Sequence, residues 1–488
     1  MGQTAWLARR AALALLLMVS FYALALGIAA ALLWIPYEAY SHDVRLPAKL
    51  ALICVGLAGT ILWSILPRVD RFVPPGPELT SADAPELFSV LTAVAGTTGQ
   101  EMPAHVYLVN DVNAFVTQRG GVMGIGSKRV MGIGLPLLQS LTVQELEAVL
   151  AHEFGHYHSG DVKIGPWIYK TRAAIGRTIA KLQDSFLQKV FVAYGNVFLR
   201  VTHAVSRRQE FIADEVAAHA AGAAAMASAL RKVHGSAVAF NNYWRAEVSP
   251  LLNSGYLPPL AAGFDRFVQA ESVSSQVAES IRAEEATGES SEYDTHPPLR
   301  ERLAALHSFP QGSTGDARPA VSLLGDPQRW ERRLLASAIN EDWARSLTPV
   351  DWDSVVEKVY VPMWRQAVKQ NAKNLAGALV SRPSFAGKLA AAMARGRLAD
   401  VEQTVLERVQ LTITALSLAL QTSGWQAHTA PGEAIVFRRG EHEIQPAAEL
   451  MAVATGKVGF DAWAARCVAL GIEGLALGEA VASDRRRQ

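Results

Sequence analysis

Ala151-His152-Glu153-Phe154-Gly155-His156 is the stretch on which the reading of this chain turns. On an α-helix, positions i and i+4 share one face about 5–6 Å apart, so the imidazoles of His152 and His156 can reach one tetrahedral divalent zinc ion. Glu153 then stands beside the open coordination position as a base. The helix is well signalled. Thr142 and Glu145 form a Thr-x-x-Glu capping box, apolar residues recur at helical spacing from Val143 to His158, and Gly160 can end the run. The bland alternative, a solvent-facing helix with two unligated histidines, is opposed by the capping and by the pieces found elsewhere in the chain.

A chain of 488 residues, 50% hydrophobic and 8% aromatic, is long enough for two or three domains with substantial cores. The net charge of +1 points to no polyanion, so nucleic acid is excluded as a partner on composition. Its two cysteines, Cys54 and Cys467, make neither a disulfide framework nor a thiolate metal site, which fits a reducing compartment.

Residues 1–75 read as a membrane anchor. Ala11 to Ile35 holds no charged residue and spans about 37 Å as a helix, and Leu50 to Leu66 is a second uncharged run. An apolar core of that length exceeds the h-region of a cleaved signal peptide, and a second span follows it. Arg9 and Arg10 precede the first span, Arg45 and Lys49 lie between the two, and Arg68 and Arg71 follow. That distribution, with the α-amino group, predicts both ends inside.

Beyond the connector Val73 to Pro77, Val106 to Val109 and Asn113 to Val116 read as strands. Val122-Met123-Gly124-Ile125-Gly126 recurs as Val130-Met131-Gly132-Ile133-Gly134, and the pattern predicts a β-hairpin of the two copies. A sheet edge would then lie beside the metal, where an extended peptide can add by main-chain hydrogen bonds.

Between Val162 and Val205 the cations Lys163, Lys170, Arg172, Arg177, Lys181, Lys189 and Arg200 are too closely spaced for a span. A long amphipathic helical pair is expected, either with its basic face on anionic lipid near the anchor or packed on its own domain with that face in solvent. A hydrolytic zinc site needs a third protein ligand and one open position. Glu210 and Asp214 are i and i+4 on a further helix, so Glu210 can ligate while Asp214 accepts the second N–H of a ligating histidine. Glu215 and Asp161 are the rival third ligands, Asp161 fitting better as a hydrogen-bonding residue behind the ligands.

Four motifs in order carry a resemblance: His152 to His156 with Asp161, the Ser-Arg-x-x-Glu-x-x-x-Asp pattern ending at Glu210 and Asp214, the upstream triplet Asn113-Ala114-Phe115, and Thr295-His296-Pro297-Pro298 with Arg302. Over roughly residues 80 to 305 the chain resembles the membrane-associated zinc metallopeptidase family that includes HtpX and the CAAX prenyl endopeptidases. The resemblance implies a gluzincin-type protease. His152, His156 and Glu210 would hold one Zn²⁺ per chain, Glu153 would be the base, Asn113, Ala114 and Phe115 would line the substrate-binding edge, and His296 and Arg302 would lie near the substrate or transition state. The chain departs from the prenyl endopeptidases in having two N-terminal spans rather than many, and from HtpX in lacking a second pair of hydrophobic spans.

The remaining histidines, His105, His158, His203, His219, His234, His428 and His442, read as solvated or core residues. The expected fold is mainly α with a small β-sheet (α+β): a transmembrane hairpin in 1–75 with spans at about 11–35 and 50–66, a gluzincin-like metalloprotease domain in 76–310, and a mostly helical region in 320–488 after a Gly/Pro/Ser linker. The expected function is a zinc-dependent endopeptidase of the bacterial inner membrane, its protease domain facing the cytoplasm, hydrolysing misfolded or membrane-associated proteins. A zinc-binding chaperone or scaffold with an idle protease site is the alternative from another class. Oligomeric state is not legible.

Overall fold

The computed structural model describes residues 2–66, 72–121, 126–157, 165–183, 185–288, 296–339, 341–382 and 403–478. Two compact units divide the chain: Met1–Ala237 with Val277–Ala338, and Val238–Gln276 with Ile339–Gln488. The architecture is α+β, long helices with three small sheets among the described residues.

The first unit opens with α1 (Gly2–Ser41) and α2 (Ala48–Ile65), the two helices long and apolar enough to cross a membrane among the described residues. The first continues past the expected end at Ile35, carrying Pro36 inside it. A four-stranded sheet follows in the order β1 (Glu78–Leu79), β2 (His105–Val109), β4 (Lys128–Gly134), β3 (Ala114–Arg119), and α3 (Pro85–Thr98) lies between β1 and β2 in sequence. Strand β4 is parallel to β2 and antiparallel to β3, which leaves β3 on the edge.

This corrects the hairpin expected from the glycine-rich repeat. Its second copy is β4, but the partner is Ala114–Arg119, in register from Ala114 opposite Ile133 to Arg119 opposite Lys128. Val122 to Ile125 lie outside the described residues. The glycines of β4 have packing reasons: a Cβ on Gly132 would lie 2.4 Å from the Phe115 ring, and one on Gly134 would lie 1.8 Å from the Asp111 carbonyl oxygen. Phe115 thus covers the glycine opposite it, a cross-strand contact that fixes register.

Helix α4 (Leu135–Ser140) leads from the sheet into α5 (Val143–Gly155). The capping box forms as the sequence predicts: the Thr142 amide donates to Glu145 Oε2 at 2.8 Å and the Glu145 amide to Thr142 Oγ at 3.3 Å. Glu145 is buried and does more, accepting from Lys232 Nζ at 2.7 Å and Ser228 Oγ at 2.6 Å. Helix α5 ends at Gly155, with His156 still in αR geometry, so the two histidines keep helical spacing; Gly160, the expected stop, lies outside the described residues.

Next come α6 (Gly165–Lys181), α7 (Phe186–Ala221) and α8 (Ala223–Tyr243). Of the two arrangements expected for the helical pair, the packed one is found, against α1 and α2. Ala174, Ile175, Leu182, Phe191 and Phe198 share one buried cluster with Phe21, Ala25, Ala58 and Ile61. Part of the basic face serves this contact, because Arg177 donates to the Ser64 carbonyl at 3.1 and 3.2 Å and Lys181 Nζ lies 5.8 Å from the centre of the Trp63 ring. A single 36-residue helix, α7, therefore runs from the apolar bundle to Glu210 and Asp214.

The linker expected from Phe309 to Pro319 docks on the start of α5. The amides of Val143 and Gln144 donate to the carbonyls of Arg318 and Asp316, and the Ala320 amide to that of Leu141. The chain stays with the first unit through Ala338, Trp330 being buried there. The second unit takes in Val238–Gln276 and holds its own core around Trp425, Phe437, Leu450 and Trp463, with a three-stranded antiparallel sheet of Gln426–His428, Val436–Arg439 and His442–Ile444.

Candidate metal centre

Helices α5 and α7 cross where neither has a bulky side chain. A Cβ on Gly155 would come within 2.9 Å of the Ala213 Cα, so the Phe154-Gly155 pair between the histidines and the Ala213-Asp214 pair on α7 are part of the site's construction. The close crossing brings Glu210 to the histidines. Glu210 Oε2 lies 3.6 Å from His152 Nε2, and Glu210 Oε1 lies 3.8 Å from His156 Nε2. One ligand atom from each of the three residues falls within 4.8 Å of the other two.

The donor set fits a divalent ion. Glu210 Oε2 is buried with no hydrogen-bond partner, an orphaned oxygen among imidazole nitrogens at distances too long for hydrogen bonds. His152 is oriented from behind: its Nδ1 is 2.9 Å from Asp214 Oδ1, which leaves Nε2 facing the cluster. Arg302 closes that arrangement, donating from Nε to Asp214 Oδ2 at 2.9 Å and from Nη2 to Oδ1 at 2.6 Å, with Nη1 3.4 Å from Glu210 Oε2. The sequence reading put Arg302 beside the substrate; here it is buried behind the ligands and acts through Asp214.

Charge follows from these contacts. Burial works against an ionised Glu210, but the neighbouring His152 and His296, with Arg302, hold its carboxyl far below the usual range. Burial likewise opposes an ionised Asp214, and Arg302 and His152 overcome it. For His152, burial favours the neutral ring while Asp214 and Glu210 favour the cation, and the result is a value pushed up to about 9. Burial, then the neighbouring His152, pushes His156 down to about 4. Removal from water pushes Glu153 up to about 7, the range suited to taking and returning a proton near neutrality.

On the open side, His296 has a side chain 67% exposed, with Nδ1 3.0 Å from Glu210 Oε1. The helix that follows spans Leu299–Leu306 with Pro298 at its N-cap, so His296 precedes it in an irregular segment, and Thr295 lies outside the described residues. Asp161 also lies outside them. Glu215, the other rival ligand, is exposed. Asn113 is exposed just before β3 and its carbonyl accepts from the Gly134 amide at 2.8 Å, Ala114 is buried, and Phe115 covers Gly132.

Two features escaped the sequence reading. The Gly155–Ala213 contact was signalled only by a glycine inside a helix. Tyr157, four residues after Glu153 on the same face, donates to the Val116 carbonyl at 3.1 Å.

Residues 81–309 match the family model described as Peptidase family M48. The chain is 26% identical over 249 residues to the "Protease HtpX homolog" of Tropheryma whipplei, covering 47% of this chain and 74% of the relative. It is 26% identical over 255 residues to the protein of the same name from Gemmatimonas aurantiaca, covering 47% and 78%. Against the "Protease HtpX" of Idiomarina loihiensis the identity is 30% over 166 residues, covering 30% and 56%. No solved structure matches. With the two apolar N-terminal helices, the chain is a membrane-associated metallopeptidase.

Proposed function

We propose that the chain is a zinc endopeptidase anchored in a bacterial inner membrane by α1 and α2, with the catalytic domain in residues 76–310 facing the cytoplasm, cleaving misfolded or membrane-associated proteins. The observation that carries the metal assignment is the orphaned Glu210 Oε2 beside His152, with Glu210 Oε1 toward His156 and with Asp214 and Arg302 fixing the His152 ring. Two imidazoles and one carboxylate with an open side suit catalytic zinc. Bound there, zinc supplies Lewis-acid chemistry that polarises a carbonyl and brings the pKa of water to about 7.

The chain's own residues do the rest. Glu153 takes the proton of the attacking water and returns it to the leaving amine. Edge strand β3 offers main-chain partners to an extended substrate, and His296 reaches the cluster from the open side, where its ring can donate to the developing oxyanion. Arg9 and Arg10 before the first apolar run and Arg68 and Arg71 after the second, against Arg45 and Lys49 between them, support the cytoplasmic orientation. The test is degradation of casein by the full chain in detergent, with and without chelator. Loss on chelation and return with Zn²⁺ is expected; chelator-insensitive cleavage, or none with zinc bound, overturns the assignment.

A further inference from the structure

Strand β3 is an edge strand, and the register with β4 decides which of its backbone groups are free. The Asn113 carbonyl accepts from Gly134, so Asn113, Phe115 and Thr117 point their polar groups at β4, while those of Ala114, Val116 and Gln118 point away from the sheet. Among the outward groups, both of those on Val116 are taken by one helix face. The Val116 amide faces the Glu153 carboxylate and favours its charged form, and the Val116 carbonyl accepts from the Tyr157 hydroxyl at 3.1 Å. Glu153 and Tyr157 are i and i+4, an acceptor and a donor presented together much as a neighbouring strand would present them.

We propose that Tyr157 is a positioning residue: with Glu153 it clasps Val116, holding the peptide-binding edge at a fixed distance from the base and ending that edge at Val116, so that substrate main chain pairs at Ala114. The proposal rests on the peptidase reading for its kinetic consequence, while the clasp itself does not depend on it. Tyr157 is built for the task. Its ring is held by Arg129, whose guanidinium lies 4.3 Å from the ring centre while Nη1 donates to the Glu101 carbonyl at 2.8 Å. Arg129 itself belongs to β4, so one side chain of the sheet steadies the clamp on the neighbouring strand.

The test has two readouts, of which the first needs no activity. In Tyr157→Phe, amide hydrogen exchange across residues 114–119 should rise about fivefold, the effect of one neutral hydrogen bond, while α5 is unchanged. Arg129→Ala should move the same amides in the same direction by less. In zinc-loaded Tyr157→Phe, kcat should fall about tenfold with KM for a short peptide within twofold, because pairing at Ala114 survives while the base loses its fixed distance from it. Unchanged exchange in β3 overturns the clasp whatever the activity. Raised exchange with unchanged kcat overturns the positioning role. A wild-type protein that binds zinc and cleaves nothing sinks the peptidase reading and with it the kinetic role, and the exchange result still decides the clasp.

Discussion

Gly155 on α5 and Ala213 on α7 meet so closely that a Cβ on the glycine would lie 2.9 Å from the Ala213 Cα and 3.2 Å from its carbonyl oxygen. Two backbones in that contact leave no room for adjustment, and the ligands on either side inherit the spacing. Gly155→Ala should force the helices apart, costing about 1–3 kcal/mol as overpacking does and lowering metal affinity with the helix pair still formed. Thermal unfolding beside zinc titration checks this. Wild-type affinity in the variant would show that Glu210 follows the histidines without the close crossing.

The base is tested by Glu153→Gln. The amide keeps the shape and leaves His152, His156 and Glu210 intact, so zinc content should match wild type while turnover falls by about 10²–10⁴. Metal is measured by atomic absorption in the same samples as peptide cleavage. Near-normal turnover would remove Glu153 from the mechanism.

The ligand order gives a graded series. Glu210→Ala should lose zinc at moderate chelator concentration, whereas Asp214→Ala should weaken it by about 10–100-fold, because Asp214 orients His152 rather than touching the ion. Arg302→Ala leaves the buried Asp214 carboxylate without its cation and should destabilise the fold by about 3–5 kcal/mol. Zinc retained in Glu210→Ala would reassign the third ligand.

Those residues separate what the sequence could reveal from what it could not. His152, His156, Glu210 and Asp214 were legible because helical periodicity alone puts i and i+4 on one face, and the capping box at Thr142 and Glu145 marks where that helix begins. The partner of β4 was not legible. Two copies of one segment suggest pairing with each other, and only the fit of Phe115 over Gly132 shows that β3 wins. Arg302 reads equally as a residue near the substrate or as an anchor for a nearby carboxylate, and that the carboxylate is Asp214 depends on how two helices far apart in sequence pack. For the same reason the cations of α6 gave no hint that Arg177 would meet the carbonyl at the end of α2.

Glu145 should make the start of α5 acid-labile. Burial would raise its pKa, but hydrogen bonds from Lys232 and Ser228 and from the Thr142 amide leave it below the ordinary 4.5. A folded-state value below the unfolded one contributes stability that is fully present above about pH 4.5 and fades as pH falls through the lower value. Glu145→Gln should therefore destabilise by about 1.5–3 kcal/mol at pH 7, as loss of a charged hydrogen bond does, and converge on wild type in the acid range. Denaturant unfolding at pH 7 and pH 3 measures the gap, and a gap of equal size at both would show that the charge on Glu145 contributes nothing.

His296 is the site residue whose role geometry constrains least, and its exposure makes it the easiest to test. With a side chain 67% exposed, it contributes little to the core, and its removal should change stability by no more than about 0.5 kcal/mol. Its one contact at the cluster is Nδ1 to Glu210 Oε1 at 3.0 Å, made from the open side, whereas Arg302 and Asp214 approach His152 from the buried one. In the proposed mechanism a donor so placed would serve the charge that develops on the scissile oxygen. Glu210 raises the His296 pKa, partly offset by burial. His296→Ala should keep zinc and melting temperature and lower single-turnover kcat by about 10²-fold or more, the size expected for one oxyanion donor. His296→Gln, which keeps a donor, should recover part of that loss. A fall in zinc content without a change in kcat per bound zinc would instead make His296 a residue that steadies Glu210.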